Sequence, residues 1–136
     1  MILKVFTDGG SKGNPGPSSI GGVGYINEKK VFEFNKSIGI ATNNDAEYRA
    51  LIEALSNIKN QVLNIKNTNQ ISEIEFNSDS KLMVNQVKGL FKVKNGRIRE
   101  YILKIRGLEQ EVGLPITYQH VPREQNVEAD LLVNSV

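Results

Sequence analysis

Apolar and polar positions alternate through Ile2-Leu3-Lys4-Val5-Phe6-Thr7, so residues 2–8 are expected to form a strand that ends on Asp8 at a glycine turn. Glycine and proline crowd residues 9–17, which reads as a connection. Strands are expected again at 21–27 and 31–40, with Asn27-Glu28-Lys29-Lys30 as the turn, giving an antiparallel three-strand meander. The period then changes. Thr42-Asn43-Asn44-Asp45 supplies helix caps, and Ala50, Leu51, Ala54, Leu55 and Ile58 recur at helical spacing, predicting a helix over 44–60. The polar stretch 60–70 is expected to be a loop or a frayed helix end. Beyond it come a strand at 71–77, a short helix at 80–87 and an amphipathic helix at 95–112 through Ile98, Tyr101, Ile102, Ile105 and Leu108. A last strand at 115–121 and a helical stub at 127–133 complete the pattern.

A meander followed by strands alternating with helices implies an α/β fold, a mixed sheet flanked by helices, taken as one domain over 1–136. The connection from the first strand to the 71–77 strand carries a helix, so those two strands can pair in parallel. Asp8 and Asp79 would then stand at neighbouring carboxyl ends, the edge where open α/β sheets commonly bind ligands.

Composition removes several chemistries. The chain has no cysteine, which excludes disulfides, thiolate metal sites and cysteine nucleophiles, and one histidine is too few for a histidine-rich zinc site. A metal here would be held by oxygen, which favours magnesium or manganese. The formal net charge of +2 permits a polyanionic partner without demanding one. No apolar run approaches the roughly 20 residues needed to span a bilayer, and no signal-peptide pattern opens the chain. A cytoplasmic monomer with no membrane association is the expectation.

Four acids stand where a carboxylate is costly for folding: Asp8, Glu47, Asp79 and Asp130. Glu47 lies four residues before Leu51 and seven before Ala54, and so shares the inward face of its helix. Each has a plain structural alternative. Glu47 could serve the helix dipole, Asp79 could be an N-cap, and Asp130 could cap or solvate a frayed terminal helix. The glycine-rich segment could be a simple turn, and no Gly-Lys-Ser/Thr makes it a nucleotide loop. Together the four acids are candidates to surround a pair of divalent ions.

The acids sit inside four recognisable runs. Thr7-Asp8-Gly9-Gly10-Ser11-Lys12-Gly13-Asn14-Pro15-Gly16-Pro17 resembles the opening motif of type 1 ribonuclease H. Thr42-Asn43-Asn44-Asp45-Ala46-Glu47-Tyr48-Arg49-Ala50-Leu51 resembles the second and Ser78-Asp79-Ser80-Lys81-Leu82 the third. His120-Val121-Pro122-Arg123-Glu124-Gln125-Asn126-Val127-Glu128-Ala129-Asp130 is similar to the fourth. All four occur in family order across nearly the whole chain, which makes their coincidence specific where each alone is not.

The resemblance implies a ribonuclease H-like fold with a mixed five-stranded sheet, the meander plus two parallel strands. It also implies an endonuclease that hydrolyses the RNA strand of RNA–DNA hybrids, leaving 5′-phosphate and 3′-hydroxyl ends. Asp8 would bridge two Mg2+ ions (Mn2+ is an alternative), Asp130 would share the ion serving the attacking water, and Glu47 and Asp79 would hold the ion facing the leaving oxygen. Asn14, Asn43 and Asn44 would reach the minor groove and hydroxyls of the hybrid, where a 2′-hydroxyl separates RNA from DNA. Thr42 would help hold a DNA-strand phosphate, and Gly9, Gly10 and Gly13 would let the backbone approach the sugar–phosphate chain.

Two departures matter. Lys81 stands where many relatives carry glutamine, and could reach a phosphate instead. No tryptophan-bearing basic protrusion precedes the long helix; only Lys88, Lys92 and Lys94 lie near Phe91, so hybrid affinity is expected to be weaker and more salt-sensitive. Many members of that family carry an auxiliary histidine in a mobile loop before the last aspartate, where it aids product release; the resemblance puts either His120 or Arg123 in that role here. Arg123 is preferred, because a rigid strand position suits gating poorly. Rival readings are a hybrid-binding module with weakened catalysis, in which a short final helix misplaces Asp130, and a nuclease of the same superfold acting on DNA.

Overall fold

The computed structural model describes residues 1–62 and 71–136. Three long strands open the chain: β1 at Ile2–Ser11, β2 at Gly16–Ile26 and β3 at Lys29–Ala41. Helix α1 follows at Asn43–Asn57 and continues as a π-helical turn over Ile58–Val62. Then come β4 at Glu73–Ser78, α2 at Lys81–Val87, α3 at Gly96–Val112, β5 at Ile116–His120, a 3-10 turn at Arg123–Gln125 and α4 at Val127–Val133. The five-stranded sheet has the order β3-β2-β1-β4-β5. β1, β2 and β3 pair antiparallel, whereas β4 pairs in parallel with both β1 and β5. The expected α/β architecture and its central parallel pair are present.

Three boundaries differ from expectation. The turn expected over residues 27–30 is only Asn27-Glu28, both at positive φ, because Lys29 and Lys30 already pair with Ile26 and Tyr25. The glycine-rich connection is shorter, because Gly9, Gly10 and Ser11 continue the ladder opposite Ile20, Ser19 and Ser18. β2 therefore starts at Gly16 and not at residue 21. The π-helical turn takes up the start of the predicted 60–70 loop, whose remainder lies outside the described residues. Among the described residues, no helix is long and apolar enough to cross a membrane.

The alternation along β1 sets the two layers. Leu3 and Val5 are fully buried on one face, where they join Leu51 and Leu55 of α1, Ile58 of the π-helical turn, and Ile74 and Phe76 of β4. Ile98, Ile105 and Leu108 bring α3 against the same core. Burying side chains of this size contributes roughly 1.5–3 kcal/mol each before the entropy cost of ordering them. The opposite face carries α4, whose Leu132 Cβ, Ala129 oxygen and Val133 nitrogen would lie 2.9, 3.0 and 3.1 Å from a Cβ at Gly21. Only glycine permits that approach.

Gly9 plays the same part on the α1 face. A Cβ there would sit 2.4 Å from the carbonyl carbon and oxygen of Ala46 and 2.7 Å from the Glu47 nitrogen. The first turn of α1 thus lies directly on β1. Gly10 is the natural control, because its nearest neighbour would be a Val133 methyl at 4.0 Å. Gly9→Ala should destabilise the protein by about 2 kcal/mol or more, since the obstacle is backbone. Gly10→Ala should cost well under half of that, and urea unfolding of both variants measures the difference.

Candidate active site

The parallel pairing of β1 and β4 brings Asp8 and Asp79 to one rim of the sheet, with Asp79 just past Ser78. Glu47 reaches the same rim from α1, because Gly9 allows the helix to lie against β1. Carboxylate oxygens of Asp8, Glu47 and Asp79 all lie within 4.8 Å of one another. They line a cleft of about 520 Å³ that also includes Gly9, Gly10, Asn43, Asn44, His120, Arg123 and Asp130. A larger hollow of about 860 Å³ lies at the other end of the sheet, between Met1, Phe6 and Tyr25; among the described residues it holds no cluster of metal-ligating groups.

Electrostatics mark the cluster as a site under strain. Burial, the neighbouring Asp79 and a hydrogen bond with Asp130 lift the Asp8 carboxyl from 3.8 to about 7. Burial and the charges of Asp8 and Asp79 hold Glu47 well above its ordinary value. Burial also raises Asp79, against the opposing pull of Arg123. Glu47 keeps one carboxylate oxygen, Oε1, buried with no hydrogen-bond partner. Such an orphaned acceptor costs free energy that a cation would recover. The set is oxygen-only, which suits a hard divalent ion.

The remaining predicted residues divide into two groups. Asp130 lines the cleft and is linked to the cluster through Asp8, although it lies outside the mutual 4.8 Å set. Its carbonyl and carboxylate accept bonds from Asn134 Nδ2 at 2.9 and 3.3 Å. His120 is the last residue of β5, opposite Ser78, and so has a fixed backbone position. Arg123 sits in the turn before α4, largely exposed, with its Nε 3.8 Å from Asp79 Oδ2. Asp79 does not cap α2; the Ser80 hydroxyl does, by accepting the Met83 N–H.

Asn14, Thr42 and Lys81 do not line the cleft. Asn14 Oδ1 accepts the Asn43 N–H at 2.9 Å, and Asn43 Oδ1 accepts the Ser11 N–H at 2.8 Å, so both amides brace the α1 N-terminus. The Thr42 hydroxyl accepts from the Asp45 N–H and donates to Asp45 Oδ2 in a capping box. Lys81 is exposed at the start of α2. Sequence reasoning missed Asn134 as a cleft residue. Its position four residues after Asp130, within reach along a helix, was the available signal.

Helix α4 does not rely on its own seven residues. Asn126 Nδ2 donates to the Thr7 carbonyl at 2.9 Å, Asn35 Nδ2 to the Leu132 carbonyl at 2.8 Å, and the Ser19 hydroxyl to the Val133 carbonyl at 3.0 Å. Glu128 accepts from the Tyr25 hydroxyl and pairs with Lys30. The helix that carries Asp130 is tied to all three strands of the meander.

Comparison with known proteins agrees with this geometry. The family described as reverse transcriptase-like matches residues 6–136. The chain is 36% identical over 136 residues to the bifunctional protein Rv2228c of Mycobacterium tuberculosis, covering 98% of this chain and 35% of that protein. It therefore spans about a third of that relative's length. The crystal structure of LC11-RNase H1 in complex with RNA/DNA hybrid superposes with a TM-score of 0.90 at 38% identity, covering 98% of this chain and 95% of that one. RNase H1 from the halophilic archaeon Halobacterium salinarum NRC-1 gives 0.86 at 33% identity, with 99% and 96% covered. With four ordered motifs, the five-stranded topology and this match in agreement, the chain belongs to the reverse transcriptase-like family, among the type 1 ribonucleases H.

Proposed function

We propose that this chain is a ribonuclease H that cleaves the RNA strand of RNA–DNA hybrids in a metal-dependent way, acting as a cytoplasmic monomer and leaving 5′-phosphate and 3′-hydroxyl ends. The observation that carries this reading is the convergence of Asp8, Glu47 and Asp79 within 4.8 Å around the unpartnered Glu47 oxygen. Asp8, Glu47, Asp79 and Asp130 are the residues that would hold two Mg2+ ions, with Mn2+ as a substitute. Bound there, the ions would supply Lewis-acid stabilisation to the attacking and leaving oxygens of an in-line displacement.

The chain's own groups do the positioning. Asn43 and Asn44 line the cleft from the first turn of α1 and present polar edges to a hybrid's groove. Gly10 leaves room for a sugar–phosphate backbone at the rim, whereas the bare face of Gly9 is taken up by the first turn of α1. Arg123 places a guanidinium beside Asp79, where it offsets carboxylate charge and can hold a phosphate. His120, fixed by β5, is the less suitable gate. Lys81, exposed on α2, is left as a peripheral phosphate contact.

The tethers on α4 count against the weakened-catalysis reading, because they hold Asp130 without help from further helix. Asp8→Asn should lower cleavage of a labelled hybrid in Mg2+ by roughly three orders of magnitude. Equal activity in both proteins would end the nuclease reading, and cleavage of duplex DNA in place of hybrid would move it to another substrate.

Proton linkage gives an independent check. The folded Asp8 value of about 7 lies above its unfolded 3.8, so its contribution to stability is complete below about 4 and is lost as pH rises through 7. Metal needs the deprotonated form, so the rise in Tm on adding Mg2+ should grow between pH 5.5 and 8. Thermal melts of wild type minus Asp8→Asn isolate this effect, and a pH-independent difference contradicts it.

Loosening α4 should act through Asp130. Tyr25→Phe combined with Asn35→Ala should raise the Mg2+ concentration for half-maximal activity by about tenfold, the usual scale for groups that orient ligands. The global Tm should move by only a few degrees.

A further inference from the structure

A second concave surface lies on the far side of α1 from the carboxylate cleft. Lys36 of β3, Arg49 of α1 and Lys104 of α3 converge on a groove of about 260 Å³, with Ile20 and Ile52 among its lining and Tyr101 on the α3 side. Residues 49, 52, 53 and 56 form one stripe of α1, and residues 101 and 104 share a stripe of α3, so each helix gives the groove a wall.

The charges there are not balanced. Glu53 is the groove's single carboxylate and pairs with Lys36. Among the described residues, Arg49 donates only to the Ile38 carbonyl, at 3.4 Å. Among the described residues, no carboxylate lies within ion-pair distance of Arg49 or Lys104. Three cations facing one acid in a concave, partly apolar hollow raise the local potential and favour an anion. The Lys36–Glu53 pair is half exposed and so weak enough to exchange partners.

Position identifies the anion. The first turn of α1 serves both sites: Asn43 and Asn44 line the carboxylate cleft, and Asp45 faces the other way. There Asp45 accepts Arg97 Nε at 2.6 Å and the Tyr101 hydroxyl at 3.3 Å. Tyr101 and Lys104, further along α3, carry on from that point into the groove. From residue 49 to residue 56 the helix rises about 10 Å, the length of roughly three stacked nucleotides at 3.4 Å each.

We propose that this α1–α3–β3 groove binds the phosphate backbone of a nucleic-acid strand that runs on past the carboxylate cleft. Its occupant is read from the proposed hybrid substrate, whereas its cation set is independent of catalysis. The test is binding without turnover. Fluorescence anisotropy in EDTA compares the full chain with Lys36→Gln/Lys104→Gln, two exposed side chains outside the cleft, on a short hybrid and on one carrying single-stranded DNA extensions. The variant should bind the extended hybrid about tenfold more weakly, and its slope of log affinity against log salt should be shallower by about 1.4, two phosphates' worth on a single strand. Binding of the short hybrid and its Mg2+-dependent cleavage should change by less than twofold.

Equal affinity and slope for both proteins on the extended hybrid would overturn the proposal. So would millimolar inorganic phosphate raising the Tm of wild type but not of the variant while strand binding is unchanged, because that describes a small-anion pocket. Loss of cleavage with groove binding intact would instead count against the nuclease reading alone.

Discussion

Three carboxylates held within 4.8 Å of one another in a largely buried cleft repel each other and lose hydration, and no local preference favours that arrangement. The rest of the fold must therefore impose it. Two contacts do so. The parallel ladder of β1 and β4 fixes Asp8 against Asp79, and the bare backbone at Gly9 lets α1 lie on β1 so that Glu47 reaches the same rim. The hydrophobic core behind them, from Leu3 and Val5 to Leu51 and Ile74, supplies the stabilisation that this cluster spends.

The capping of α1 shows how far that support extends. Burial alone would raise Asp45, but the Thr42 N–H and Arg97 outweigh it and hold the carboxyl below its usual range. Asp45 is thus charged, and it ties the α1 N-terminus to Tyr101 and Arg97 of α3. Asn14 and Asn43 brace the same turn from the β1–β2 connection. Residues that sequence motifs mark as substrate contacts are also, in this structure, the frame that aims Glu47.

Helix α4 illustrates the opposite balance. Seven residues are too few for independent helix stability, so the segment depends on its docking. Gly21 allows contact at backbone distance, and Asn126, Glu128, Asn35 and Ser19 provide polar anchors. Length alone predicts that this helix frays. The partners that dock it lie about 100 residues away in the chain, out of reach of any local reading.

What was legible in the chain is what periodicity and residue chemistry encode locally. Alternation in β1, helical spacing in α1 and α3, the parallel crossover and the oxygen-only ligand set could all be read, because each depends on nearby residues or on simple topology. The acids could be named for the same reason. Their mutual distances, the orphaned Glu47 oxygen, the internal use of the Asn14 and Thr42 side chains and the anchoring of α4 could not. These depend on which residues meet across the sheet, and that is decided by close packing at Gly9 and Gly21, where the absence of a side chain matters only once a partner backbone is known to lie there.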